Sequence, residues 1–431
     1  MRPTPLALAL ALAASPVLAE DGRQPVSAGS AFNPQISLIL GGSLYHDNQR
    51  GAGAELVEEA AGILHGVHFH EHGHGAENGF NLDEIELVLS ATIDPYFDGR
   101  FTAAFDGHET HVEEAWVQTR MLPAGLKVKA GRFLSEIGYQ NSQHRHAWEF
   151  SQQNLAYATL LGDHGLIDNG LQLTWLAPAP FFLQLGAELL QGSEQERFGA
   201  LVDVHDAEAV LDESVGGPAA TRGGPRLGTL FVKAGPDLGA AQALQFGLSY
   251  ARARQFQQLL DEDETALSGD EFALEGRQSL YGVDVVYKRD GGGEKGAGAL
   301  KLVAEYLRME KDMKVGAADA GAPVAAGDRV TGTQDGWYVQ GVYGLAPRWQ
   351  LGLRHEVTGD TNEVKEGGAR IGFDASTRST LALTWLPTEF SRLRLELAQG
   401  DIHDEAGDKT PLKQVVLGYT MSMGTHGAHR F

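Results

Sequence analysis

Residues 166–190 read LIDNGLQLTWLAPAPFFLQLGAELL. Leu171, Leu173 and Trp175 alternate with Gln172 and Thr174. After a turn carrying Pro178 and Pro180, Phe181, Leu183, Leu185, Ala187 and Leu189 alternate with Phe182, Gln184, Gly186 and Glu188. Alternation of period two on both sides of a short turn predicts a β-hairpin with one apolar face and one wet face.

The same unit recurs along the chain, and sixteen strands can be placed. Upstream they centre on Ile36–Leu44, Ile85–Ile93, Phe101–Phe105, Ala115–Thr119 and Leu126–Ala130. Downstream, two strands flank GPDLG, and others run through Tyr281–Tyr287, Leu300–Tyr306, Trp337–Leu345 and Trp349–Val357. Leu381–Trp385, Leu393–Leu397 and Leu417–Met423 complete the series. Connections alternate in length: DPYFDG, LPAG, APAP, GPDLG, LAPR and LPTEF are short, and most of those between are long and polar. Short turns at one end and long loops at the other, with Gln, Gly, Ser, Thr, Lys, Arg and Glu on one face, predict a transmembrane antiparallel β-barrel of porin type. A soluble sandwich is the alternative, and it would pack the apolar faces on each other.

Composition narrows the class. The chain opens MRPTPLALALALAASPVLAED, and this pattern is expected to be a signal peptide over residues 1–19, too short in its apolar run to span a bilayer. Residues 20–33 would then be a periplasmic lead, 34–423 the barrel and 424–431 a tail ending in Phe431, the expected contact for barrel-assembly machinery. With no cysteine there is no disulfide scaffold and no thiolate metal site. A net charge of −23 excludes a nucleic-acid partner, which requires a basic face. Taking 19 from 431 leaves about 26 residues for each of sixteen strands with its connection, ample for spans of about 9–11. Some 22 strands would leave no room for a plug. The expected location is the outer membrane of a Gram-negative bacterium, among its lipids.

Several stretches resemble a proteobacterial outer-membrane family labelled zinc-regulated or TonB-dependent receptors: AFNPQISLIL, DPYFDGRFTAAF, EEAWVQT, KAGRFLSEIGYQNSQHRHAWEF, GLQLTWLAP, GAELLQG and HGAHRF. The resemblance implies an outer-membrane location and a link to zinc supply. The receptor function it also implies would need a plug domain for which this chain has no space.

Histidine marks the candidate sites. The first long loop, 46–78, contains HGVHFHEHGHG, with His65, His68, His70, His72 and His74. Imidazole suits zinc, copper and nickel, and alternate positions in an extended segment project to one side. Strand parity puts His46, His108, His111, His144, His146, His164, His205, His355 and His403 toward the outer end as well, leaving His426 and His429 at the other. Two readings stand: a metal-capturing mouth built from the loop histidines with His108, His111, His144 and His146, or a polar loop that binds nothing. A pH-sensitive rim fits the same distribution. No resident cofactor is expected; Zn²⁺ would be bound or transported, and small solutes are the other expected cargo.

The connection 132–165 is long, amide-rich and aromatic, and porin analogy predicts that it folds inward as a constriction. Glu136, Tyr139, Arg145, Trp148 and Glu149 would then line the pore, with Lys127, Lys129, Arg354, Glu356, Arg392, Arg394 and Glu396 on the wall. A loop packed over the rim is the alternative. No nucleophile motif or P-loop is present, and no enzymatic activity is expected.

Overall fold

The computed structural model describes residues 34–58, 60, 76–105, 110–192, 195, 197–201, 223–260, 272–318, 325–366, 369–404 and 407–424. The expected signal peptide, the 20–33 lead, His65, His68, His70, His72, His74, His108 and His205, and the tail with His426, His429 and Phe431 lie outside the described residues.

All sixteen expected strands form. They are β1 (Gln35–Asp47), β2 (Gly79–Thr92), β3 (Phe97–Phe105), β4 (Thr110–Thr119), β5 (Leu126–Leu134), β6 (Ile167–Leu176), β7 (Phe182–Leu190) and β8 (Leu227–Gly235). Then follow β9 (Gln242–Leu260), β10 (Phe272–Arg289), β11 (Leu300–Ala318), β12 (Arg329–Ala346) and β13 (Trp349–Glu366). A four-residue β14 (Ala369–Gly372) precedes β15 (Ser376–Thr388), β16 (Ser391–His403) and β17 (Lys409–Gly424). Every neighbour pair is antiparallel, and β1 pairs with both β2 and β17, so the sheet closes on itself. Because β13 pairs with β15 as well as with β14, the wall has sixteen strands and β14 is a short outer flap.

Burial has the opposite sense to that of a soluble protein. Leu171, Leu173 and Leu189 are 53%, 48% and 48% exposed, whereas Gln172 and Glu188 between them are each 4% exposed. Among the described residues the apolar faces cover no second layer of protein; they form the outer surface of the barrel, the face that a transmembrane barrel turns outward. Trp349 and Trp385, cross-strand partners near the short turns, stack at 5.8 Å. Tyr250 and Tyr281 pair at 5.2 Å further along. On β12, Trp337 and Tyr343 face outward at two levels, roughly 20 Å apart along a strand at about 3.3 Å per residue, as interfacial aromatic girdles require. Both described chain ends lie at the short-turn end, where Ser37 pairs with Gly424.

The interior holds the unexpected core. A cluster including Phe133, Ile137, Tyr157, Leu160, Leu166, Leu307 and Tyr338 fills part of the lumen. Its centre is the β5–β6 connection. That connection carries helix α2 (Leu155–Leu161), all seven residues of which are buried. An earlier helix, α1, spans Gly53–Glu58. Val57 packs with Leu155, Ala158, Ile402 and Leu412, so α1 covers α2.

Candidate functional site

The strands β5 and β6 are short, and their ladder ends at Leu134 opposite Ile167. One further backbone bond, Ser135 N–H to Leu166 O (2.9 Å), closes the neck of the connection. From there residues 136–165 enter the barrel. Asn141 bridges the neck, donating from Nδ2 to the carbonyls of Ser135 (2.8 Å) and Leu166 (2.9 Å) and accepting from Leu166 N–H (2.7 Å). Asn154 caps α2 by accepting from Tyr157 N–H (3.0 Å).

Wall charges grip the backbone of this segment. Glu188 accepts from Glu136 N–H (3.0 Å), Glu305 from Tyr139 N–H (2.9 Å), Glu396 from Ser151 N–H (2.7 Å) and Glu356 from Leu155 N–H (2.9 Å). Arginines take the carbonyls: Arg392 donates to His146 O (2.9 Å), Arg394 to Trp148 O (3.0 Å) and Arg354 to Gln152 O (3.0 Å). Arg378 adds Gln153 O and pairs with Glu356 (2.6 Å). Irregular backbone in a barrel needs partners that water would otherwise supply, and charged partners give the stronger bonds. Side chains add to the grip, with Glu136 on Lys233 and Glu149 on Lys301. Burial alone would raise the Glu149 carboxyl, but Lys301 brings it below its ordinary pKa.

The expected pore-lining residues therefore divide. Arg145, Trp148, Glu149, Arg392 and Arg394 border cavities. The larger, about 200 Å³, lies between the segment and the short-turn end, bounded there by Leu386, Glu389 and Phe390. Glu136, Tyr139, Arg354, Glu356 and Glu396 are buried in contacts of the segment with the wall. Lys129 lies over the Trp116 ring at 4.9 Å, and Lys127 is half-buried on the same strand.

Gly138 shows how closely the segment fits. Its φ of 61° is left-handed, and a Cβ there would collide with Glu305 Oε1 and the Tyr157 hydroxyl. Gly138→Ala is expected to add about 1–2 kcal/mol of backbone strain to that clash. The check is a melting midpoint several degrees below wild type, together with faster proteolysis of the segment.

The described histidines separate. His46 and His355 face outward, the latter bonded to Ser379 (2.8 Å) and edge-on to Trp337. His403 engages the Ala375 carbonyl (2.8 Å), and His111 lies 5.6 Å from the ring of His164. His144 and His146 are not at the rim but at mid-depth, because the segment carries them inward to Glu86 at the middle of β2. His144 Nε2 faces Glu114 Oε2 (2.9 Å) and Nδ1 faces Glu113 Oε2 (3.1 Å); His146 Nδ1 meets Glu86 Oε2 (2.6 Å). Burial would lower the His144 pKa, but Glu86 and Glu113, with the hydrogen bonds to Glu113 and Glu114, lift it well above its ordinary value.

Sequence reasoning did not find Glu86, Glu113, Glu114, Arg100 or Arg378. Adjacent Glu113 and Glu114 reach one imidazole because of a β-bulge: Thr102 pairs with Glu114 and Ala103 with Val112, leaving Glu113 unpaired. The visible signal was HVEEAW, two acids in succession where a strand should alternate.

No protein-family model matches the chain. It is 35% identical over 405 residues to an uncharacterized protein of Aquifex aeolicus (strain VF5), covering 93% of this chain and 80% of that one. Among solved structures, the outer-membrane channel DcaP of Acinetobacter baumannii aligns over 90% of this chain and 97% of its own, with a TM-score of 0.52 and 10% identity. An anion-selective porin from Comamonas acidovorans aligns over 91% and 99%, with a TM-score of 0.48 and 10% identity.

Proposed function

We propose, for a chain that belongs to the family of the uncharacterized Aquifex aeolicus protein and folds as a porin-type outer-membrane barrel, that it is a channel for small solutes in the outer membrane of a Gram-negative bacterium. One observation carries this reading. A backbone segment is held inside the barrel by wall charges, and a cavity about 200 Å³ in volume lies beneath it. Such a segment narrows a lumen without closing the wall, and the ions bordering the cavity then set which solutes pass.

The finer part of the proposal concerns cargo. His65, His68, His70, His72 and His74 in the outer connection, with His108 and His111 on the β3–β4 side, supply imidazoles suited to Zn²⁺. The mechanism is capture at the mouth, transfer to the inserted segment and diffusion to the short-turn end. Capture has to be weak enough for release.

Planar-bilayer recording of the purified barrel, with and without Zn²⁺, tests the channel. Discrete open currents are expected, and silence in both conditions overturns the proposal. For the cargo, deleting residues 64–75 is expected to lower cellular zinc accumulation while leaving the current intact. Unchanged accumulation assigns the barrel to general solutes instead.

A further inference from the structure

We infer that a divalent transition-metal cation binds at mid-depth in the lumen, held by His144 Nδ1, Glu86 Oε1 and Glu113 Oε2, so that one ion ties the inserted segment to β2 and β4. None of its ligands is one of the outer-loop histidines. It deepens the metal reading above but does not require conduction.

The geometry is that of a ligand set. One donor atom from each of Glu86, Glu113 and His144 lies within 4.8 Å of the other two. His144 Nδ1 is 3.1 Å from Glu113 Oε2 and 3.8 Å from Glu86 Oε1. An ion with bonds of about 2.1 Å requires tetrahedral donors about 3.4 Å apart, so the two separations from His144 each need a few tenths of an ångström of adjustment, and the two carboxylates, within 4.8 Å of each other, close on the ion.

The surroundings favour that use of each atom. Glu86 is fully buried, and its Oε1 accepts no hydrogen bond among the described residues. The His144 imidazole faces this oxygen at 3.8 Å, too far for a hydrogen bond, and a buried carboxylate oxygen held so loosely is costly. Its other oxygen is engaged by His146 (2.6 Å), which fixes the carboxylate plane and aims Oε1 at His144. On the far side of the imidazole, Glu114 Oε2 accepts from Nε2 (2.9 Å). A carboxylate on the remote nitrogen is the usual support of a metal-bound histidine, because it fixes the tautomer that leaves the near nitrogen free to ligate. Glu114 is itself held by Arg100 (2.9 Å) and by Trp116 Nε1 (2.9 Å), so the support is rigid. Glu113 keeps its side chain 20% exposed, which provides entry from the lumen water.

The donor set selects the ion class. One imidazole nitrogen with two carboxylates suits Zn²⁺, Mn²⁺, Fe²⁺ or Co²⁺, whereas Ca²⁺ and Mg²⁺ prefer oxygen alone. On binding, the cation takes the place of any proton on Nδ1, which passes to the lumen water.

The test uses the full chain in detergent with Co²⁺ as probe, followed by visible absorption and by calorimetry. Removing the outer-loop imidazoles with H65Q, H68Q, H70Q, H72Q and H74Q is expected to leave one bound Co²⁺ per chain. In that background Glu86→Gln and His144→Gln are each expected to weaken binding at least a hundredfold, and Glu114→Gln about 10–100-fold, the usual cost of a lost supporting carboxylate. Heat-dependent gel migration reports whether each variant retains the barrel. Glu113→Gln, at a partly exposed bulge, serves if a buried variant does not fold, and it is expected to weaken binding as strongly as Glu86→Gln. Loss of all Co²⁺ with the loop histidines, or affinity unchanged in the folded Glu86→Gln, His144→Gln or Glu113→Gln chain, overturns the site. A barrel that passes no current but binds Co²⁺ in this pattern refutes the channel and leaves the site standing.

Discussion

Replacing residues 137–164 by a short Gly–Ser turn is expected to raise single-channel conductance several-fold in planar bilayers. The neck makes the excision feasible, since Leu134 pairs with Ile167 and Ser135 N–H donates to Leu166 O at 2.9 Å. A tight turn can therefore continue the β5–β6 hairpin at that point. The wall does not depend on the segment for its closure, because each of the sixteen wall strands is laddered to two neighbours around the ring. Excision removes α2 and the polypeptide bound by Arg354, Arg378, Arg392 and Arg394, and water takes over those donors. Phe133, Leu307 and Tyr338 lose their apolar cover, so the melting temperature is expected to fall while the current rises. An excised barrel that inserts and conducts no more than wild type would mean that the constriction lies elsewhere.

The wall was legible in the sequence because a membrane strand carries its own signature. Leu171, Leu173 and Trp175 against Gln172 and Thr174 specify which face meets lipid, with no knowledge of the neighbouring strands. Short turns such as LAPR and APAP fixed the polarity of the ring in the same local way. The lumen was not legible, because its pairs join residues far apart in sequence. Arg394 meets Trp148 O, and Glu305 meets Tyr139 N–H, and neither contact has a local pattern. Inward charges such as Arg354 and Glu356 could be recognised as inward, but not as partners of a backbone. The bulge at Glu113 hid for a related reason: it needs the register of the partner strand, and a sequence shows only that alternation falters. Strand length beyond the bilayer was also unreadable, since β9 to β13 continue past their apolar alternation into polar residues.

Glu356→Leu is expected to loosen the inserted segment more than any other single substitution in the wall. The Glu356 carboxylate accepts from Leu155 N–H at the start of α2 (2.9 Å), pairs with Arg378 (2.6 Å) and lies 3.2 Å from Arg354. The side chains of both arginines are only 2% exposed and that of Glu356 is fully buried. Removing the one anion leaves two buried guanidiniums facing each other, at a cost of about 3–5 kcal/mol for a broken buried pair. A free N–H at the start of α2 adds to it. Proteolysis and hydrogen exchange over residues 150–161 should accelerate strongly, and the barrel should still show heat-dependent migration because its ladder is intact. The combination of Glu356→Leu with Arg354→Met and Arg378→Met separates charge from shape. If the loss is the cost of stranded charge, removing all three charges restores most of the protection, since a buried ion cluster and apolar side chains of similar volume are often nearly equivalent in stability. If protection stays low in the triple variant, the segment is held instead by the arginine bonds to Gln152 O and Gln153 O. A Glu356→Leu chain that melts and digests as wild type would remove the grip of the wall as the reason the segment stays inside.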